Sequence, residues 1–133
     1  QVLYDSGKTK KMLKYYNEIC KKNNVLPRRI LLSFAPVSSQ ENINFLKWLG
    51  VEIPQETEKR LKQDNRRMSE ESLKIASEIL NDILNNNKEL GITVPIGLNV
   101  EHIMSYNFQS SINMLQELSK IYRKFCIKTS LYD

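Results

Sequence analysis

A chain of 133 residues is long enough for one domain with a real core and too short for two ordinary ones. Hydrophobic residues at 41% and charged residues at 26% give the balance of a globular protein, and no apolar run reaches the roughly 20 residues of a membrane span. A formal charge of +5 would point to nucleic acid only if the cations gathered on one element. They are instead scattered through Lys8-Thr9-Lys10-Lys11, Lys21-Lys22, Arg28-Arg29 and Arg66-Arg67, with acids interleaved from Glu52 to Glu89. That is the pattern of a solvated surface, and it argues against both a nucleic-acid and a membrane partner.

In chain order, residues 1–4 read as a short buried strand that ends in the turn signal Asp5-Ser6-Gly7. The start at Gln1, without Met and directly in a strand-like run, predicts polypeptide upstream of it. From Thr9 to about Asn23, Met12, Tyr15, Tyr16, Ile19 and Cys20 recur at three- and four-residue spacing, which predicts one helix face, stopped by Asn23-Asn24. Ile30-Leu31-Leu32-Ser33-Phe34 is an apolar run of strand length, expected to be a parallel strand covered on both faces and halted by Pro36.

Ser39 predicts an N-cap for a helix carrying Ile43, Phe45, Leu46 and Leu49 and closed by Gly50. Pro54 opens a short polar helix through about Lys62. A long helix follows, with Ser69 as its expected cap, Glu70 and Glu71 in the first turn, and Leu73, Ala76, Leu80, Ile83 and Leu84 on its buried face. Leu90-Gly91 is its stop. Val94 to Val100 is a third strand, and Phe108 to Phe125 a last helix striped by Ile112, Leu115, Leu118, Tyr122 and Phe125. Strand–helix alternation of this kind predicts parallel strands with helical crossovers, in an open sheet or in part of a barrel.

In such folds function gathers at the carboxyl ends of the strands. That rule selects Asp5 together with Gln1 on the first strand, the stretch from Ala35 to Gln40 after the second, and Asn99-Val100-Glu101-His102 after the third. Gln1 offers an amide donor and an acceptor, suited to a heterocycle edge. Glu101 and His102 form a candidate titrating pair, although a single strand-end histidine is more often a hydrogen-bonded structural residue. Asp5 reads equally as a turn residue. The sequence holds no glycine-rich phosphate loop, no nucleophile elbow and no ligand cluster with metal spacing. Cys20 and Cys126 are far apart and too few for a disulfide framework, which predicts a reducing, cytoplasmic setting.

Three groups of residues carry a family resemblance. Gln1-Val2-Leu3-Tyr4-Asp5 resembles the strand of methylenetetrahydrofolate reductases that bears an active-site glutamine and then an aspartate. Pro36-Val37-Ser38-Ser39, Phe45 and Gly50-Val51-Glu52-Ile53-Pro54-Gln55-Glu56 resemble that family's strand end, following helix and next helix start. Leu61 to Leu90 resembles its long helix before the last strand. The resemblance implies that residues 1–133 form a single partial domain, the last three βα units of a TIM-type (β/α)8 barrel. It implies an oxidoreductase in which FAD passes hydride to methylenetetrahydrofolate. Most flavin contacts would then lie outside this chain, in an N-terminal half or a partner chain. By the same resemblance Gln1 contacts the folate pterin, Gln40 or Glu41 is a second folate contact, and Phe45 stacks on a flat ring. The family's Y-T-L-N-R is replaced by Leu98-Asn99-Val100-Glu101-His102, which leaves the electron donor open. Alternatives are a non-enzymatic half-barrel binding module and a folate or corrinoid methyl-transfer barrel.

Overall fold

The computed structural model describes residues 1–130. Its order is α1 (Gly7–Lys22), β1 (Ile30–Phe34), α2 (Gln40–Trp48), α3 (Gln55–Lys62), α4 (Met68–Glu89), β2 (Ile96–Val100) and α5 (Phe108–Ser130), with 3-10 turns at Asn65–Arg67 and Ser105–Asn107. β1 and β2 pair in parallel, from Ile30↔Ile96 to Phe34↔Val100. A parallel pair needs a long crossover, and α2, α3 and α4 supply it.

This architecture corrects the expected barrel portion. Among the described residues the sheet has two strands, and the chain is a mostly helical α/β fold. Residues 1–4, expected as a strand, make a single parallel bridge, Val2↔Ser33, with the Leu3 amide donating to the Ser33 carbonyl at 2.9 Å. The physical reason is local. Tyr4 is buried and its hydroxyl donates to the Ala35 carbonyl at 2.8 Å, and α1 begins only three residues later, so no ladder can propagate. Burial holds the Tyr4 phenol neutral by pushing its pKa far above the usual value.

The helices cover one face of the pair. Leu32 and Phe34 point into a core shared with Leu13, Ile43, Leu46, Leu61, Leu80, Ile83, Met114 and Leu118. The alternate residues of β1 do not: Leu31 is 62% exposed. The second cover expected for β1 is not supplied by the described residues, and Ser33 shares the open parity with Leu31. The buried face of α1 also differs from the expected one. Thr9, Leu13, Asn17 and Cys20 are buried, whereas Met12, Tyr15 and Ile19 are exposed. Asn17 accounts for the shift, since its Oδ1 accepts from both the amide and hydroxyl of Thr93 at 3.1 Å.

Several local signals act as expected. The Ser39 side chain accepts from the Asn42 amide and caps α2, and Gly50 and Gly91 take the positive φ values of 85° and 62° that end α2 and α4. Asn24 also takes a positive φ, of 53°, just past α1. The start of α4 differs. Asp64 caps the preceding 3-10 turn through the Arg66 amide at 2.9 Å, while the Ser69 hydroxyl is spent on Ser110 of α5 at 2.9 Å.

Charge pairing ties α3 to its neighbours. The Arg60 guanidinium holds both oxygens of Glu78, at 2.6 and 2.8 Å, and also bonds Glu71; Glu58 is paired with Lys47 and Lys62. Arg60 holds the Glu78 carboxyl below its ordinary range, outweighing the opposite effect of desolvation. The stabilisation is therefore present above the ordinary glutamate pKa of about 4.3 and lost as pH falls through the lower folded value. Because the pair is largely solvated, we expect Glu78→Gln to cost at most about 1 kcal/mol at pH 7. That cost should vanish near pH 2, as thermal melts of both proteins at the two pH values would show.

Candidate ligand-binding face and its supporting network

The strand pairing lines up a row of polar side chains on the open face of the sheet. Register sets Leu31 beside Gly97 and Ser33 beside Asn99, and Glu101 follows two residues on, on the same parity. Gly97 lets the Leu31 side chain lie close over the strand, since a Cβ there would sit 2.5 Å from Leu31 Cδ2 and push that side chain aside. The Asn99 amide Nδ2 donates to Ser33 Oγ at 3.1 Å and to Glu101 Oε1 at 2.8 Å. The Glu101 main-chain N–H donates to the Phe34 carbonyl at 2.7 Å, so the ladder's geometry runs one residue past β2 and fixes this carboxylate's root.

Behind the carboxyl ends lies a buried amide network. Asn42 of α2 and Asn107 are only 2% and 4% exposed. Asn42 Oδ1 accepts from the Ser38 amide and from Asn107 Nδ2, both at 2.9 Å, and its Nδ2 donates to the Tyr106 hydroxyl at 2.6 Å. The Ser38 hydroxyl donates to Asn107 Oδ1 at 2.6 Å. The Val37 amide is satisfied by Ser72 of α4 at 3.1 Å. The loop after β1 and the loop after β2 are thus one hydrogen-bonded unit.

The residues singled out from sequence are spread over three places. Gln1 is exposed, and its Nε2 donates to the Gly50 carbonyl at 2.7 Å. Gln1 and Asp5 line one groove of about 680 Å³ with Lys8, Lys47, Glu52 and Pro54. Lys8 and Glu52 pair across its rim, and this hydrogen bond raises the Lys8 pKa. Gln40 and Phe45 lie on α2. The Gln40 amide donates to Asn44 at 2.8 Å, and the Phe45 ring stacks on Trp48 with centroids 5.7 Å apart. Trp48 itself is 77% exposed. Glu101 and His102 do not meet each other. Glu101 turns to Asn99, while the His102 ring has Nδ1 3.2 Å from Ser111 Oγ of α5 and stands edge-on to Phe108 at 5.3 Å. Neighbouring residues leaving a strand point to opposite sides, which explains the split.

Sequence reasoning did not single out Ser33, Asn42, Tyr106 or Asn107. Ser33 had a readable signal, a polar residue inside the apolar run Ile30–Phe34. Asn42 and Asn107 had none, because their pairing bridges 65 residues. Among the described residues no group of three or more His, Cys, Asp or Glu side chains could hold a metal, and no helix is long and apolar enough to cross a membrane. Cys20 and Cys126 are thiols.

No protein family and no curated protein matches the chain. A solved structure does: an uncharacterized protein from Clostridium thermocellum that binds two copies of 5-methyl-5,6,7,8-tetrahydrofolic acid, 28% identical to this chain with a TM-score of 0.76. The match covers 91% of this chain and 42% of that one, so the chain spans less than half the length of its structural neighbour.

Removing the Asn42 side chain unpairs the Ser38 amide and the buried Asn107 amide at once. We expect Asn42→Ala to lower stability by about 2–3 kcal/mol in urea denaturation, whereas Gln40→Ala, on the surface of the same helix, should stay within about 0.5 kcal/mol.

Proposed function

We propose that this chain is part of a protein that binds a reduced folate, with the open face of β1 and β2 as a wall of the ligand site. The observation that carries the reading is the 28% identity over 91% of the chain with a protein that binds 5-methyltetrahydrofolate. The chemistry of the open face supports it. A pterin is flat, with an apolar face and an edge of alternating hydrogen-bonding groups, and this surface offers Leu31 beside the polar row Ser33, Asn99 and Glu101.

The residues named from the family resemblance join the proposal. Gln1 gives its Nε2 to Gly50, which orients the amide and leaves Oε1 to accept from a ligand. Phe45, backed by Trp48, offers a stacking surface, and Gln40 stands at the start of the same helix, α2. Their part is to bind and orient folate.

The reductase reading adds a bound FAD that would supply hydride, and it is a proposal about the whole protein. The donor set of the open face suits a pterin edge and does not fit a pyrophosphate, which needs main-chain N–H groups and cations. At the start of α1 the Asp5 carboxylate stands against Gly7, within 3.4 Å of where its Cβ would be, and would repel an anion there. No step is therefore derived through FAD from these residues.

Isothermal titration of the intact protein with 5-methyltetrahydrofolate tests the reading. We expect saturable binding, weakened roughly 5- to 10-fold by Gln1→Ala, the loss of about one hydrogen bond. Absence of heat and of competition at millimolar ligand would overturn folate binding. A flavin absorption band in the purified intact protein would support the reductase proposal, and a colourless protein that binds folate would leave a folate-binding protein without that chemistry.

A further inference from the structure

The open sheet face carries an ordered row of unused hydrogen-bonding capacity. Both protons of the Asn99 amide are engaged, one on Ser33 Oγ at 3.1 Å and one on Glu101 Oε1 at 2.8 Å. This leaves Asn99 Oδ1 as an acceptor. It also leaves the Ser33 hydroxyl, which accepts from Asn99, with its proton to give. Glu101 Oε1 is pinned by Asn99, its main-chain N–H is held by Phe34, and among the described residues Oε2 accepts from nothing. No lysine or arginine among the described residues pairs with this half-buried carboxylate. Along the row the free groups read donor, acceptor, acceptor.

We propose that Glu101 is the specificity-determining residue of this face, accepting hydrogen bonds from the amino-pyrimidinone edge of the ligand's pterin ring. This rests on the folate reading above and deepens it. That edge presents a 4-oxo acceptor, an N3–H donor and a 2-amino donor, the complement of Ser33, Asn99 and Glu101 in order. The carboxylate suits the 2-amino end of that edge, because a hydrogen bond to a charged acceptor is stronger than one to a neutral acceptor, and Oε2 is the oxygen that Asn99 leaves open. Leu31 is exposed on the same face and packs over Gly97, so it offers the ring an apolar rest beside the polar row. A half-buried carboxylate with one oxygen held by Asn99 and the other unmatched among the described residues gains from a ligand that brings a donor. Glu101 acts here by touching the ligand, and Asn99 is the residue that positions it.

The test uses the intact protein and three probes: 5-methyltetrahydrofolate, 6-methyltetrahydropterin (the ring without the tail) and p-aminobenzoylglutamate (the tail without the ring). We expect Glu101→Gln to weaken both ring-bearing probes about 10- to 100-fold and to leave the tail probe unchanged. Unchanged affinity for the ring probes, or equal weakening of all three, would overturn the assignment. Ser33→Ala gives an independent reading should Glu101→Gln fail to fold, with a smaller loss of about 5-fold expected for the ring probes alone. Failure of the unaltered protein to bind any probe would overturn the folate reading itself, and the Glu101 assignment with it.

Discussion

Everything in this chain is hung on five residue pairs of parallel strand. The ladder from Ile30↔Ile96 to Phe34↔Val100 joins segments separated by three helices, and its register decides which residues meet. Side chains along a strand alternate between faces, so a slip of one residue would turn Asn99 into the core and Leu98 outward. The correct register gives one face to Leu32 and Phe34, packed under α4 and α5, and the other to Leu31, Ser33, Gly97, Asn99 and Glu101. The division between a packed face and an open polar face is a property of that register.

The crossover uses two kinds of fastening. On the outside, α3 is held by ion pairs, with Arg60 spanning Glu71 and Glu78 of α4. Inside, the start of α2 is held by neutral amides, with Asn42 and Asn107 buried against each other. The first is weak and adjustable, because its charges remain in water. The second is costly to disturb, because it is buried from water that could replace a lost partner. The segment closest to the carboxyl ends of the strands is therefore the more rigidly held of the two.

Local signals in the sequence map well onto this structure, and long-range ones do not. The apolar run at Ile30, the Ser39 cap, the Pro54 start and the Gly50 and Gly91 stops depend on neighbours a few residues away, and each falls where its chemistry predicts. The segment 1–4 has strand composition but no ladder, since a strand needs a partner along its length and composition cannot supply one. The face of α1 was misread for a related reason. Met12, Tyr15 and Ile19 have the right spacing, yet Asn17 is drawn inward by Thr93, 76 residues away. At the open face, Glu101 was legible as a strand-end carboxylate. Ser33, bonded to the same Asn99 amide, gave a weaker sign, and the separation of Glu101 from His102 followed only from the backbone.

The amide network has a further consequence for how the molecule behaves in different media. Its centre, Ser38, Asn42 and Asn107, contains no titrating group and no net charge, so neither proton concentration nor dissolved electrolyte has a direct handle on it. Electrolyte shortens the reach of exposed charges to within about 8 Å at physiological ionic strength, and further above it. Raising the ionic strength therefore weakens the ion pairs between α3 and α4, while the loops after β1 and β2 keep their alignment through Ser38, Asn42 and Asn107. The geometry at the carboxyl ends of the strands is buffered against the surroundings by the neutrality of the groups that hold it.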